Sequence, residues 1–361
     1  MWIFLLLSAG LFMGWSLGTN DAANAFGTAV ATRVVKYRTA IIIIAIMVVL
    51  GALTLGHNNI DKLARIATNN EVSASIEDVE AALEAGTLAD LRLKSALKAF
   101  IVFACAAVTV FVMSYLKFPV SANQSITGAV IGWGLCYADY SNPAVMKGNV
   151  TEILEFASTW LINPLGAAII SFAMVFIMKK FIEKRLTSMK NYDMIVKIGY
   201  LAAGAFSAFS IGQNSSASVT AFYYDSTGLG ANLIYGKDGF FTGTRITAII
   251  GGVAIAVGVL TFSKRVMMTV GGSIAEISQV DGFMVIVASA LTVLLMGKFM
   301  GIPVSTSQSV VGAVVGAGLV NGVKTVNFGV FKRIAIAWVS SPTAAGLLTY
   351  LVAIATKSYF A

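Results

Sequence analysis

Residues Gly18-Thr19-Asn20-Asp21-Ala22-Ala23-Asn24-Ala25-Phe26-Gly27 set one carboxylate and two amides into an apolar run. Trp2 to Leu17 carries no charge, and the chain stays mostly apolar on to Ala31. On a helix, Asn20, Asp21 and Asn24 fall within about one turn of each other. A carboxylate at membrane depth costs at least ~2.5–3.5 kcal/mol unless something pairs with it, so such a residue marks a functional site. Three further polar interruptions, at 121–127, 212–220 and 305–309, cut apolar text in the same way.

These interruptions hold small hydroxyls and amides and no basic residue. Ser121, Gln124, Ser125 and Thr127 offer donors in one. Ser305, Thr306, Ser307, Gln308 and Ser309 offer them in another, and Gln213 in a third. Pro119 and Pro303 stand just before two of the runs, where a helix starts. A helix N-terminus presents free backbone N–H groups and a partial positive charge. Two such termini with hydroxyls beside them make an oxyanion site that needs no Lys or Arg, and a site without a fixed cation suits an anion that must be released. Asp21 would repel that anion unless a cation lies between them. A hard cation such as Na⁺ takes carboxylate, amide and hydroxyl oxygens, so Asp21 with Asn20, Asn24, Asn214, Ser215 and Ser218 forms the candidate sodium site; a proton on Asp21 is the rival arrangement. Helix packing through small residues is the bland alternative for a lone Ser, but paired runs behind paired prolines favour a site. Nothing suggests a transition metal, an organic cofactor or an enzyme. Cys105 and Cys136 lie in apolar spans, His57 is the one histidine, and no nucleophile–base pair stands out.

The elements that must position these residues are membrane helices. Of 361 residues, 57% are hydrophobic and 12% charged, with a mean hydropathy of +0.83. Soluble domains carry about 25% charged residues. The formal charge of +8 sits in short clusters between apolar spans, which marks loops at the cytoplasmic face and excludes a nucleic-acid stripe. Spans are expected at about 2–32, 39–56, 99–116, 119–136 and 152–178, then 198–222, 240–262, 283–297, 303–320 and 333–356, with breaks near Gly18 and Pro164. Between them, 57–98 is an acidic extracytoplasmic loop with small amphipathic helices, and 179–197 is a basic cytoplasmic linker. Asp21 is then the sole acidic residue expected in the core.

The halves 1–178 and 198–361 repeat each other. Pro119-Val120-Ser121-Ala122-Asn123-Gln124-Ser125 matches Pro303-Val304-Ser305-Thr306-Ser307-Gln308-Ser309, Trp160 and Pro164 match Trp338 and Pro342, and Ser16 to Asp21 lies against Ser210 to Ser215. With an odd number of crossings per half, the second copy enters from the opposite face. The expected fold is an all-α polytopic membrane protein, an inverted-topology repeat of about 5+5 crossings and 10–12 helical segments, with discontinuous helices at the midplane. Lys and Arg placement sets both termini outside a plasma membrane. The apolar, glycine-rich surface meets the lipid bilayer and is compatible with a homodimer.

The first motif, Gly18-Thr19-Asn20-Asp21-Ala22-Ala23-Asn24-Ala25-Phe26-Gly27-Thr28, resembles the signature of the PiT-type inorganic phosphate transporters, and the Pro-Val-Ser segments resemble that family's Pro-Val-Ser-Thr-Thr-His type. The resemblance covers nearly the whole chain outside 57–98 and 179–197. It implies secondary active import of inorganic phosphate by sodium- or proton-coupled symport and alternating access. It also implies that Asp21, Asn24 and the Ser/Thr-Gln segments line the path. Three departures stand out: the second signature copy ends in Ser215 rather than Asp, Gln124 and Gln308 replace His, and Met47–Leu50 holds no Glu. With so few protonatable groups, the expectation is sodium coupling, with a proton-coupled phosphate or sulfate carrier and an anion channel as alternatives.

Overall fold

The computed structural model describes residues 2–59, 81–82, 84–115, 120–137, 143–182, 189–221, 243–264, 267, 277–300 and 304–360. Among them are ten helices of 16 residues or more. The first half holds α1 (Trp2–Ala31), α2 (Tyr37–Leu55), α3 (Leu88–Tyr115), α4 (Ala122–Tyr137) and α5 (Pro143–Ile177). The second holds α6 (Met189–Thr220), α7 (Gly243–Phe262), α8 (Gln279–Met300), α9 (Thr306–Asn321) and α10 (Phe328–Phe360). Each apolar span read from the sequence overlaps one of these helices, several of which extend by a polar turn or more. Residues 88–98 therefore belong to α3, and much of 179–197 is helical too, in a π-turn over Met178–Ile182 and the start of α6. Of the loop 57–98, where amphipathic helices were expected, residues 60–80 lie outside the described residues, as do 183–188, Pro119 and Pro303.

Side chains are arranged for lipid. Bulky aliphatics such as Ile46, Leu161, Ile169 and Leu351 face outward, while Ala, Gly, Ser and Thr fill the interior. Hydrocarbon tails give no hydrophobic drive between helices, so close backbone approach supplies the packing. It does so in four glycine seams. A Cβ on Gly18 would stand 2.0 Å from the Ile255 carbonyl oxygen, and one on Gly258 2.1 Å from that of Trp15. Gly212 faces Val48 O at 2.0 Å, and Gly51 faces Phe209 O at 2.0 Å. Gly128 and Gly132 of α4 lie on Pro342 and Gly346 of α10, and Gly312 and Gly316 of α9 lie on Pro164 and Ala168 of α5. Only a residue without Cβ fits at these points.

The seam at Gly18 corrects one expectation. The helix does not break there: α1 runs unbroken through the polar motif, α6 runs unbroken through 212–220, and α5 continues through Pro164. Gly18 and Gly212 are there for the contact, not for a kink. The polar runs at 121–127 and 305–309 instead lie at the starts of the short helices α4 and α9. At 16 residues, α4 and α9 are about 24 Å long, and their first turns lie beside the middle of α1.

Helix neighbours form three groups. α1, α2, α6 and α7 pack together; α4 packs on α10 and α3; α9 packs on α5 and α8. α3 and α8 join the flanking groups to α1 and α6. Each sequence half therefore sends its last helix to the other half's short helix. Exchanging α1–α5 with α6–α10 carries the principal contacts, and the four glycine seams, onto one another.

Asp21 is not the sole buried acid. Asp281, in the first turn of α8, is 1% exposed and pairs with Lys179 at 3.4 Å. Asn321 at the end of α9 donates to Asp281 at 3.1 Å and accepts from Lys179, joining the π-turn after α5 to α8 and α9. The hydropathy window missed Asp281 because it sits at the helix edge, where a cation from the supposed linker folds over it. Lys179→Met strands the buried carboxylate and is expected to cost about 3 kcal/mol. Asp281→Asn leaves Lys179 with access to water and costs less. Thermal unfolding of the two variants in detergent checks the order.

Candidate functional site

Four polar segments meet. Because α1 stays helical, Asn20, Asp21 and Asn24 share one buried region of it. Asp21 Oδ2 accepts from Thr306 Oγ1 at 2.8 Å, and Oδ1 accepts from Asn24 Nδ2 at 3.2 Å and Asn20 Nδ2 at 3.4 Å. Asn24 Nδ2 also lies 3.3 Å from Thr306 Oγ1 and from Ser307 Oγ. These donors are all neutral, and among the described residues no Lys, Arg or His pairs with the carboxylate.

The starts of α4 and α9 are cross-tied. Asn20 Nδ2 donates to the Val120 carbonyl at 3.2 Å, and Ser307 Oγ to the same carbonyl at 3.3 Å. Asn214 binds the Val304 peptide on both sides, Nδ2 to O at 2.8 Å and backbone N to Oδ1 at 2.9 Å. Asn123 Nδ2 reaches Val304 O at 2.9 Å and Ser215 Oγ at 3.3 Å. So Asn20 and Asn214 do the same work on the two tips, but Ser215 stands where α1 has Asp21. The arrangement matches in shape and differs by one negative charge.

Several hydroxyls are committed to the protein. Ser121 and Ser305 cap their helices, accepting from Gln124 N at 3.3 Å and Gln308 N at 3.2 Å. Ser125 donates to Ser121 O at 3.1 Å, Thr127 to Asn123 O at 3.1 Å, and Ser309 to Asn163 Oδ1 at 2.8 Å. Ser218 is buried on α6 without a hydrogen bond to this network among the described residues. The amides behave differently. Both polar atoms of Gln124, and the carbonyl oxygens of Gln308 and Gln213, are buried with no hydrogen-bond partner. Buried polar groups are normally satisfied, so orphaned amides in the first turns of α4 and α9, with a third inside α6, describe a place built for a polar guest. The first-turn N–H groups of α4 and α9 add donors and a positive dipole end. Asn123 and Asn163 were not singled out in the sequence. For Asn123 the signal was present, inside the repeated segment opposite Ser307; for Asn163 it was the position just before the repeated proline.

Among the described residues, seven helices long and apolar enough to cross a membrane, with a polar, cross-tied midpoint, describe a polytopic membrane transporter. A solved structure of a sodium-dependent phosphate transporter has the same fold, with a TM-score of 0.74 over 99% of this chain and 100% of that one, at 22% identity. A candidate phosphate permease of Pyrococcus abyssi is 27% identical over 97% of both chains. An inorganic phosphate transporter of the Arabidopsis thaliana chloroplast is 24% identical over 98% of this chain and 72% of its own. The phosphate transporter family model matches residues 17–203 and 184–349. The chain belongs to the phosphate transporter family.

Proposed function

We propose that this protein imports inorganic phosphate by sodium-coupled symport, with the sodium at Asp21 and the phosphate between the first turns of α4 and α9. The observation that carries the reading is the buried carboxylate held by neutral donors alone, beside orphaned Gln124 and Gln308. A lone buried negative charge is stabilised by a bound cation, and that cation then screens the arriving oxyanion. Asn20 and Asn24 lie within reach of the same cation. Asn214 and Ser215 hold the opposite tip, where the missing carboxylate leaves a neutral polar strut. Ser307 and Thr306 face both groups, so ion and substrate binding are coupled through one turn of α9.

The proposal extends to the cycle. The exchange of helix contacts between halves supports an inverted-topology repeat, and the separate flanking groups around α1, α2, α6 and α7 support alternating access. Lys and Arg near the helix ends support termini outside a plasma membrane. Labelled phosphate uptake into proteoliposomes is the test. A sodium gradient is expected to drive uptake, and excess sulfate to leave it intact. Uptake driven equally by a proton gradient without sodium would overturn the coupling, and inhibition by sulfate at phosphate concentrations would overturn the selectivity.

Thr306→Ala removes a hydroxyl donor to the Asp21 carboxylate, and Ala122 already fills the matching place on α4. Hydrogen bonds to charged groups are worth about 1.5–3 kcal/mol. The variant is expected to fold and to shift the sodium concentration for half-maximal uptake by roughly tenfold.

A further inference from the structure

The two short helices start alike but are held unequally. On α5, Asn163 is 1% exposed. Its Nδ2 donates to the Ser305 carbonyl at 2.8 Å and its Oδ1 accepts from Ser309 Oγ at 2.8 Å. One amide thus grips the capping residue of α9 and the residue a turn further on. Pro342 of α10 lies against Gly128 of α4 as Pro164 of α5 lies against Gly312 of α9. Ser341 therefore occupies the position of Asn163. It is fully buried, and its hydroxyl has no hydrogen-bond partner. The shorter side chain leaves Ser121 and Ser125 bonded within α4, with no tie to α10 among the described residues. The neighbouring position repeats the inequality: Thr306 on α9 binds Asp21, and Ala122 stands there on α4.

We infer that Asn163 is a positioning residue that makes the first turn of α9 the fixed wall of the oxyanion site, while the first turn of α4 is the wall that shifts when the ion enters or leaves. Separating α9 from α5 would strand an amide donor, an amide acceptor, a carbonyl and a hydroxyl in a dry interface, a cost that holds the turn in place. No such tie holds the first turn of α4 to α10 among the described residues; the hydrogen bond between these two helices, Lys357 Nζ to the Cys136 carbonyl at 3.1 Å, lies at the far end of α4. The other ties at this end of α4, from Asn123, Asn20 and Ser307, run between members of the site, so they are free to rearrange with it. The role in ion passage rests on the transport reading above; the difference in restraint does not.

Hydrogen exchange read by mass spectrometry on the full chain in detergent tests the restraint without any transport. Amides of 125–128 are expected to exchange about tenfold faster than those of 309–312, the ratio that one retained buried hydrogen bond supports. Asn163→Ser installs the residue its counterpart already tolerates, and is expected to bring 309–312 up to the rate of 125–128. Ser341→Asn supplies the missing grip and is expected to slow 125–128. In uptake assays, Asn163→Ser should raise the phosphate KM, and Ser341→Asn should lower the maximal rate with KM kept. Equal exchange at the two tips of the unaltered protein, or an Asn163→Ser variant with 309–312 unchanged, overturns the inference. Absence of phosphate uptake with the exchange pattern intact overturns the transport reading and leaves the unequal restraint standing.

Discussion

Asp21→Asn is expected to abolish sodium-driven phosphate uptake and leave the bundle folded. The carboxylate makes three hydrogen bonds to neutral groups, Thr306, Asn24 and Asn20. An amide at position 21 with its oxygen in the Oδ1 place still accepts from Asn24 and Asn20, and its NH2 in the Oδ2 place can donate to the Thr306 hydroxyl, so the packing survives. What disappears is the charge. Two unit charges about 4 Å apart at an effective dielectric near 20 attract by roughly 4 kcal/mol, which is about three orders of magnitude in an affinity. The same argument fixes a stability signature. A ligand that binds only the folded state raises the melting temperature with its concentration, so sodium should stabilise the unaltered protein and leave Asp21→Asn unmoved. In sodium-free buffer the variant should melt no lower than the unaltered protein, because it no longer buries an uncompensated negative charge. Full sodium-driven uptake in Asp21→Asn, or an undiminished sodium-dependent rise in melting temperature, would remove Asp21 from the coupling site.

Gly312→Ala is expected to be nearly as damaging, though it removes no polar side chain. Its Cβ would stand 2.1 Å from the Pro164 carbonyl oxygen, 2.8 Å from the carbonyl carbon and 2.8 Å from Pro164 Cα. All three are backbone atoms, so no side chain can swing aside. α9 must back away from α5 by about an ångström, and overpacking of this kind costs roughly 1–3 kcal/mol. The same displacement pulls Ser305 and Ser309 off Asn163 and shifts Thr306 relative to Asp21. Uptake should fall close to background and the melting temperature by several degrees. Gly166→Ala is the control. Its Cβ meets only Thr292 Cγ2, at 3.8 Å, and melting temperature and uptake should both stay unchanged. A Gly312→Ala protein with full activity would show that the seam has slack.

The comparison of these two sites separates what is legible in a sequence from what is not. The site's composition was legible. A carboxylate with two asparagines in an uncharged run, and two Pro-Val-Ser segments in register, announce themselves because membrane helices tolerate polar residues only at a cost. The long apolar helices were legible too, seven of them among the described residues, since hydropathy reports the length that lipid must cover. Asp281 was not, because it lies two residues outside the expected span 283–297 and is paired with Lys179 from a distant segment. Gly18 was misread as a break, because a glycine has the same letter whether it kinks a helix or lets another helix touch it.

The sequence by itself determined that this is a polytopic helical membrane protein with a repeated, pseudo-symmetric polar core and a single negative charge in one copy. Only the tertiary structure decided which helices share a body. α5 packs on α8 and α9, and α10 on α3 and α4, so the halves along the chain are not halves in space. It also decided which hydroxyls are spent on caps and which amides are left without partners. The physical reason is range. Burial cost and helix periodicity act through neighbours in sequence, whereas a glycine seam or an orphaned amide exists only once segments more than a hundred residues apart have met.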